Sequence, residues 1–196
     1  DDELQRKRNR ARDLAHIVEI AAAGRDKAAL ITYQLTEAEI ASMLPENVTT
    51  GHFNAIRGLD QWGDVDALVI AGRTQPSEAE VEHMTEGLFY DSPVEIKLAG
   101  KYARTMVKVA VGDQVREMET DAHPDPLVEA VRHQICEAEL TQAMGRARAI
   151  RRTADDPVEI VLVTSVPVAR RVDALTTWGD LVPGRLEVAA ARGVML

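Results

Sequence analysis

The chain has one cysteine, Cys136, in 196 residues. That excludes an internal disulfide and any cysteine-based zinc site, suits a reducing cytosol, and leaves Cys136 as core filler. Aromatic residues make up only 4% of the chain, which argues against a β-sandwich and against stacking platforms for single-stranded bases; aliphatic packing must dominate. No apolar run approaches the roughly 18 residues that span a bilayer, and Asp1-Asp2-Glu3-Leu4-Gln5-Arg6 does not resemble a signal peptide, so a soluble, cytoplasmic protein without a membrane partner is expected. An opening on Asp-Asp-Glu without methionine reads as a piece of a longer polypeptide. No G-x-x-x-x-G-K-[ST] loop occurs, so the chain lacks the glycine-rich turn and lysine that hold β- and γ-phosphates, and alone it should not hydrolyse a nucleotide. The G-x-S-x-G elbow and the G-x-G-x-x-G fingerprint are also missing. The histidines, His16, His52, His83, His123 and His133, show no metal-ligand spacing, and no metal site is expected. Asp64 with Asp66, Asp155 with Asp156, and Glu137 with Glu139 read as loop and helix-surface carboxylates rather than acid pairs. A net charge of −9 excludes a broadly basic nucleic-acid surface, so any such contact is local, at Arg6-Lys7-Arg8-Asn9-Arg10 or between Arg146 and Arg152.

What is present is enough for one core: 45% of the residues are hydrophobic. Leu4, Ala11, Leu14, Ile17, Val18 and Ala21 recur at helical spacing, with Gly24 as the stop and Arg6 to Arg12 on the exposed face. Ala28 to Tyr33 reads as a strand buried on both faces. Thr36-Glu37-Ala38-Glu39 has capping-box spacing for a helix that buries Ile40 and Leu44 and closes at Pro45. Val48 to Phe53 and Ala67 to Ala71 read as strands, separated by a polar loop from Asn54 to Gly63. Ser77 with Glu80 caps a third helix whose apolar stripe is Val81, Met84 and Leu88. Val94 to Leu98, Thr105 to Val111 and Val115 to Glu119 alternate loosely around a turn at Gly112-Asp113, an antiparallel excursion. Asp125 and Pro126 open a long helix whose expected face is Leu127, Val131, Ile135, Ala138 and Gln142. Val158 to Val163 is a further strand, followed by weaker helical patterns at Val172 to Trp178 and Leu186 to Ala191. Strands alternating with helices point to an α/β fold, a parallel sheet covered on both faces.

The long helix delivers Arg146, Arg148, Arg151 and Arg152 to one place just before the last strand. A guanidinium is permanently charged and offers a planar fork of donors, so such a cluster suits phosphate groups. The competing reading is a solvated helix end, where cations complement the exposed carbonyls of the last turn.

Two stretches carry a resemblance. Ala55-Ile56-Arg57-Gly58-Leu59-Asp60 followed by Val65 to Ile70, and Gln142-x-x-Gly145-Arg146, look like motifs V and VI of the C-terminal RecA-like lobe of superfamily 1 and 2 helicases. Thr50 and His52 stand before the first stretch much as the family's threonine and histidine do. The resemblance covers roughly residues 4–165. It implies a three-layer RecA-like, P-loop NTPase-like, mostly parallel sheet over residues 1–166; the antiparallel excursion, at about 92–121, is then an insertion longer than in the simplest helicases, and the weaker helical patterns make 167–196 a C-terminal helical extension.

The implied activity is that of an ATP-dependent nucleic-acid helicase or translocase. ATP and magnesium would be bound mainly by an N-terminal lobe not contained in this chain. Arg146 would act as the arginine finger, a role worth about 10³ to 10⁵ in rate, and Gln142 would place phosphate or water. Gly58, Asp60 and Gly145 would border the nucleotide, while Thr50, His52, Asn54 and Arg57 would lie near the phosphates of DNA or RNA. The family's second arginine follows the first by three residues; Arg148 follows Arg146 by two. One residue turns a helical side chain by about 100°, so Arg151 competes with Arg148 for that role. The alternative from another class is a non-catalytic α/β module that binds nucleic acid or an acidic protein.

Overall fold

A computed structural model describes residues 2–56 and 58–182. The chain is α/β: a four-stranded, all-parallel sheet flanked by helices, with a separate two-stranded antiparallel ribbon. This matches the expected fold class and is consistent with a RecA-like layout. The elements in order are α1 (Asp2–Ala22), β1 (Ala28–Thr32), α2 (Gln34–Ile40), β2 (Val48–His52), β3 (Ala67–Ala71), α3 (Glu78–Leu88), β4 (Ala103–Val111), β5 (Gln114–Ala122), α4 (Pro126–Gly145), β6 (Glu159–Val163) and α5 (Trp178–Leu181). The sheet order is β2-β1-β3-β6, with Leu30 opposite both Thr50 and Val69, and Val69 opposite Val161.

The two central strands are buried at every position, as their unbroken apolar sequences require. Alternation divides them between two cores. Ala28, Leu30, Ala67, Val69 and Ala71 face Leu14, Val18, Ala21 and Ile40, on the side of α1 and α2. Ala29, Ile31, Leu68 and Ile70 face Leu140 and Ala143 of α4, together with Phe53, Ile56, Trp62 and Val65 of the β2–β3 connection. Burying each larger side chain contributes about 1.5–3 kcal/mol before the entropy of ordering is counted. Among the described residues, no helix is long and apolar enough to cross a membrane.

Several sequence expectations fail for identifiable reasons. The capping box at Thr36 does not form, because α2 begins at Gln34 and places Thr36 inside the helix; its N-cap, Tyr33, makes no side-chain cap bond. The box at Ser77 does form, with both reciprocal bonds to Glu80. Only Val81 of the expected α3 stripe is buried; Met84 and Leu88 are exposed. The excursion has two strands rather than three. Residues 94–98 form no strand because their main chain turns to side chains instead: Lys97 N–H donates to Asp125, and the following Ala99 and Gly100 N–H groups donate to Glu82.

Helix α4 starts as expected, with Asp125 accepting from the N–H groups of Leu127 and Val128. Its buried face, however, is Val128, Arg132, Cys136, Glu137, Glu139, Leu140 and Ala143, one residue out of step with the expected stripe. Val128, Cys136, Leu140 and Ala143 pack inward on that face, and the charge buried with them is offset because Arg132 bonds Glu129 and Glu137. Val172 to Trp178 is not helical: Val172 bridges to Val111 at the ribbon end, and a helix begins only at Trp178. The expected helix at Leu186 to Ala191 lies outside the described residues.

Candidate functional site

The β2–β3 connection was expected to be polar, yet Ile56 and Trp62 are fully enclosed. Trp62 anchors it. Its Nε1 donates to Thr49 Oγ1 at 3.1 Å, and its ring lies so close to Gly51 that an added Cβ would stand 2.5 Å from Cη2. Leu140, Ala143 and Ala147, at the end of α4 and just beyond it, enter the same core cluster. Hydrophobic burial therefore draws together the two stretches that the sequence separates widely. A tryptophan inside an otherwise polar segment was the signal that could have revealed this anchor.

The arginines follow from that docking. Gly145 is the last residue of α4, exposed and with open space where a Cβ would sit. Arg146 then donates from Nη1 to the Leu59 carbonyl at 3.2 Å, across 87 positions of sequence. Its Nε is buried without a hydrogen-bond partner among the described residues. Arg148 takes the left-handed conformation, φ 49° and ψ 41°, and pairs with Asp60. Arg152 donates to the Val65 carbonyl at 2.6 Å and pairs with Asp156 at 3.0 Å. Arg151 is exposed, closing a short 3-10 turn at Ala149–Arg151.

The electrostatic consequence separates these arginines. Asp60 offsets the charge of Arg148 and Asp156 that of Arg152, whereas Arg146 meets only a neutral carbonyl and no carboxylate among the described residues. Its charge is therefore not offset by a neighbouring carboxylate, which suits an anion. Arg152 was expected in the arginine cluster but without a role of its own, and its bonds to Val65 and Asp156 tie it to the fold.

Of the other expected site residues, Gln142 is exposed on α4, and Gly58 has φ +77° in the loop that ends at Asp60. Arg57 lies outside the described residues. Thr50 is half-buried within β2. His52 Nδ1 lies 2.7 Å from Glu37 Oε2, so a carboxylate already engages that ring. Asn54 is exposed and has φ 70°, a positive value that asparagine accepts more readily than most side chains. The structure thus gathers Leu59, Asp60, Arg146 and Arg148 into one place and leaves His52 and Asn54 at the carboxyl end of β2.

Most of the carboxylates considered as acid pairs have other partners, whereas Asp155 is simply exposed. Asp64 pairs with Lys27, which holds the Asp64 carboxyl below and the Lys27 amine above their ordinary values. Asp66 accepts the N–H groups of Asp26 and Lys27. Glu137 and Glu139 are buried rather than on the helix surface, a correction that the Arg132 ion pair explains for Glu137. Burial raises the Cys136 thiol, as suits a core residue. Among the described residues, no group of three or more His, Cys, Asp or Glu side chains is placed to hold a metal ion.

Compared with protein-family models, curated proteins and solved structures, the chain matches none.

Proposed function

We propose that the chain is the second lobe of an ATP-dependent nucleic-acid helicase or translocase and supplies Arg146 to ATP held by a partner lobe of the same polypeptide. One observation carries this reading: the motif V-like loop and the motif VI-like helix end meet, with Arg146 bonded to Leu59 and Arg148 to Asp60. The lack of a P-loop fits half a site rather than a complete one.

The residues suit a triphosphate. Arg146 keeps its charge and a buried unpaired Nε, and the space around Gly145 is open. Bound ATP supplies the phosphoryl group, and magnesium would be held by the partner lobe together with the phosphates. Arg146 stabilises the charge that develops on the γ-phosphoryl oxygens during transfer, an effect of about 10³ to 10⁵ in rate. Its bond to Leu59 holds the side chain on a packed loop, which limits the entropy lost when it engages the phosphate. Arg148 is less suited to that role while Asp60 holds it.

The polypeptide that contains this chain should carry a P-loop and an acidic Walker B strand ahead of Asp1, and its ATP turnover should be stimulated by DNA or RNA. A parent sequence without a P-loop would defeat the reading. In the competing non-catalytic module, the chain alone would bind nucleic acid in a salt-sensitive way, with no dependence on ATP or a second lobe.

A further inference from the structure

The two edges of the parallel sheet differ. At the amino edge, the Asn47 amide donates to the carbonyls of Ala22 and Arg25, and Asp66 receives two main-chain N–H groups, which closes that end. At the carboxyl edge, β2, β1 and β3 end side by side and leave a cleft of about 370 Å³, lined by Tyr33, Phe53, Asn54, Arg73, Thr74 and Gln75. A second cleft of about 280 Å³ shares Tyr33, Phe53 and Asn54 with the first. Open α/β sheets take their ligands at this edge.

Tyr33 is exposed yet fixed. Its hydroxyl donates to the Arg73 carbonyl at 2.7 Å and accepts the Arg73 N–H at 2.9 Å, while 46% of the residue remains accessible. The ring lies against Gly72, where an added Cβ would stand 2.5 Å from Cε2, and Phe53 packs at 5.6 Å between ring centroids. A ring held this way loses little conformational entropy when a flat ligand covers it.

Beside it are donors without partners. Arg73 Nη1 and Thr74 Oγ1 are buried and unbonded among the described residues, while Arg73 Nη2 forms an ion pair with Asp121 at 3.6 Å. Unmet buried donors are costly.

We propose that this cleft holds one nucleotide unit, its base on the exposed part of the Tyr33 ring and its phosphate toward Arg73 and Thr74. The proposal rests on the helicase-lobe reading only for the source of that unit, which is either a residue of a nucleic-acid strand or free ATP. A single ring suffices, so the scarcity of aromatic residues does not exclude it.

The test uses the full chain with fluorescein-labelled oligothymidylate read by anisotropy, and with ATP read by calorimetry. Stacking accounts for about 1–3 kcal/mol per base, so Tyr33→Ala should weaken the bound ligand by roughly five- to 150-fold, while Tyr33→Phe keeps most of the affinity. Loss confined to the oligonucleotide identifies a strand site, and loss confined to ATP a free-nucleotide site. If Tyr33→Ala does not fold, Arg73→Gln decides: the salt dependence of oligonucleotide binding, or the affinity for ATP, should fall. Unchanged binding of both ligands in the folded variants, or failure of the wild-type chain to bind either, overturns the proposal. The chain has no P-loop and alone should not turn over ATP, so these binding readouts bear on the cleft, while the arginine finger is tested separately by turnover of the polypeptide that joins the chain to its P-loop lobe.

Discussion

Arg148 holds Asp60 from a left-handed backbone, φ 49° and ψ 41°, with its side chain lying over Gly63 so that an added Cβ there would stand 3.0 Å from Arg148 Cδ. An L-residue in that conformation carries about 1–2 kcal/mol of strain, which glycine avoids. Arg148→Gly should therefore be more stable than Arg148→Ala by roughly 1 kcal/mol, read from urea midpoints, although both lose the ion pair. The pair itself is part-exposed and should couple by no more than about 1 kcal/mol in a double-mutant cycle with Asp60→Ala. A much larger coupling would mean that the pair holds the two loops together, a role assigned here to the apolar core.

That core is tested at Trp62. Complete burial of the ring predicts that Trp62→Ala costs about 3–5 kcal/mol. Gly51→Ala should cost about 1–3 kcal/mol by overpacking, since its methyl meets the indole ring at 2.5 Å. Chemical denaturation measures both. In a Trp62→Phe background the Gly51→Ala penalty should shrink, and a penalty that persists would place the strain elsewhere.

Arg132 is buried with Glu137, and Glu129 reaches it from the preceding turn. Removing the cation alone strands a buried carboxylate, so Arg132→Met should cost about 3–5 kcal/mol. The double variant Arg132→Met with Glu137→Leu should recover most of that loss. Equal destabilisation in the two proteins would show that packing, not charge, is at stake.

Acid sensitivity follows from two carboxylates that anchor the segment before the ribbon. The Gly100 N–H, then His123, hold Glu82 below its ordinary value of 4.5; the Lys97 N–H, then those of Val128 and Leu127, hold Asp125 below 3.8. Each folded-state value lies below the unfolded one, so the unfolded chain binds more protons in that interval. Their stabilisation is complete above the ordinary values and is lost as pH falls through the depressed ones. Melting temperature should therefore drop below about pH 4.5. Glu82→Gln with Asp125→Asn should lower it at neutral pH and flatten the acid limb; an unchanged acid limb would assign the transition to other groups.

Much of the frame is legible in the sequence because it rests on local signals. The buried strands at Ala28–Thr32 and Ala67–Ala71 are uninterrupted apolar runs, and the caps at Ser77 and Asp125 depend on residues two to three positions away. What the sequence hides is settled by distant partners. No count of apolar residues reveals that Arg132 and Glu137 pair on the buried face of α4, or that residues 94–98 bond carboxylates instead of a strand. At the site, the motif-like stretches can be read directly, but their meeting through Trp62 and Ala147 cannot. The separation of Arg146 from Arg148 by the Asp60 carboxylate is likewise a property of the folded chain. The Tyr33 cleft is assembled from the ends of three strands and leaves no contiguous motif.

The most direct test of the central claim is ATP turnover by the polypeptide that joins this chain to its P-loop lobe, with Arg146 changed to alanine. The expected result is a loss of about 10³ to 10⁵ in kcat with ATP binding and thermal stability nearly intact, because the arginine acts on charge that appears only during transfer. Turnover within a few-fold of wild type, or a protein that loses its fold together with its activity, would contradict the assignment of Arg146 as the finger.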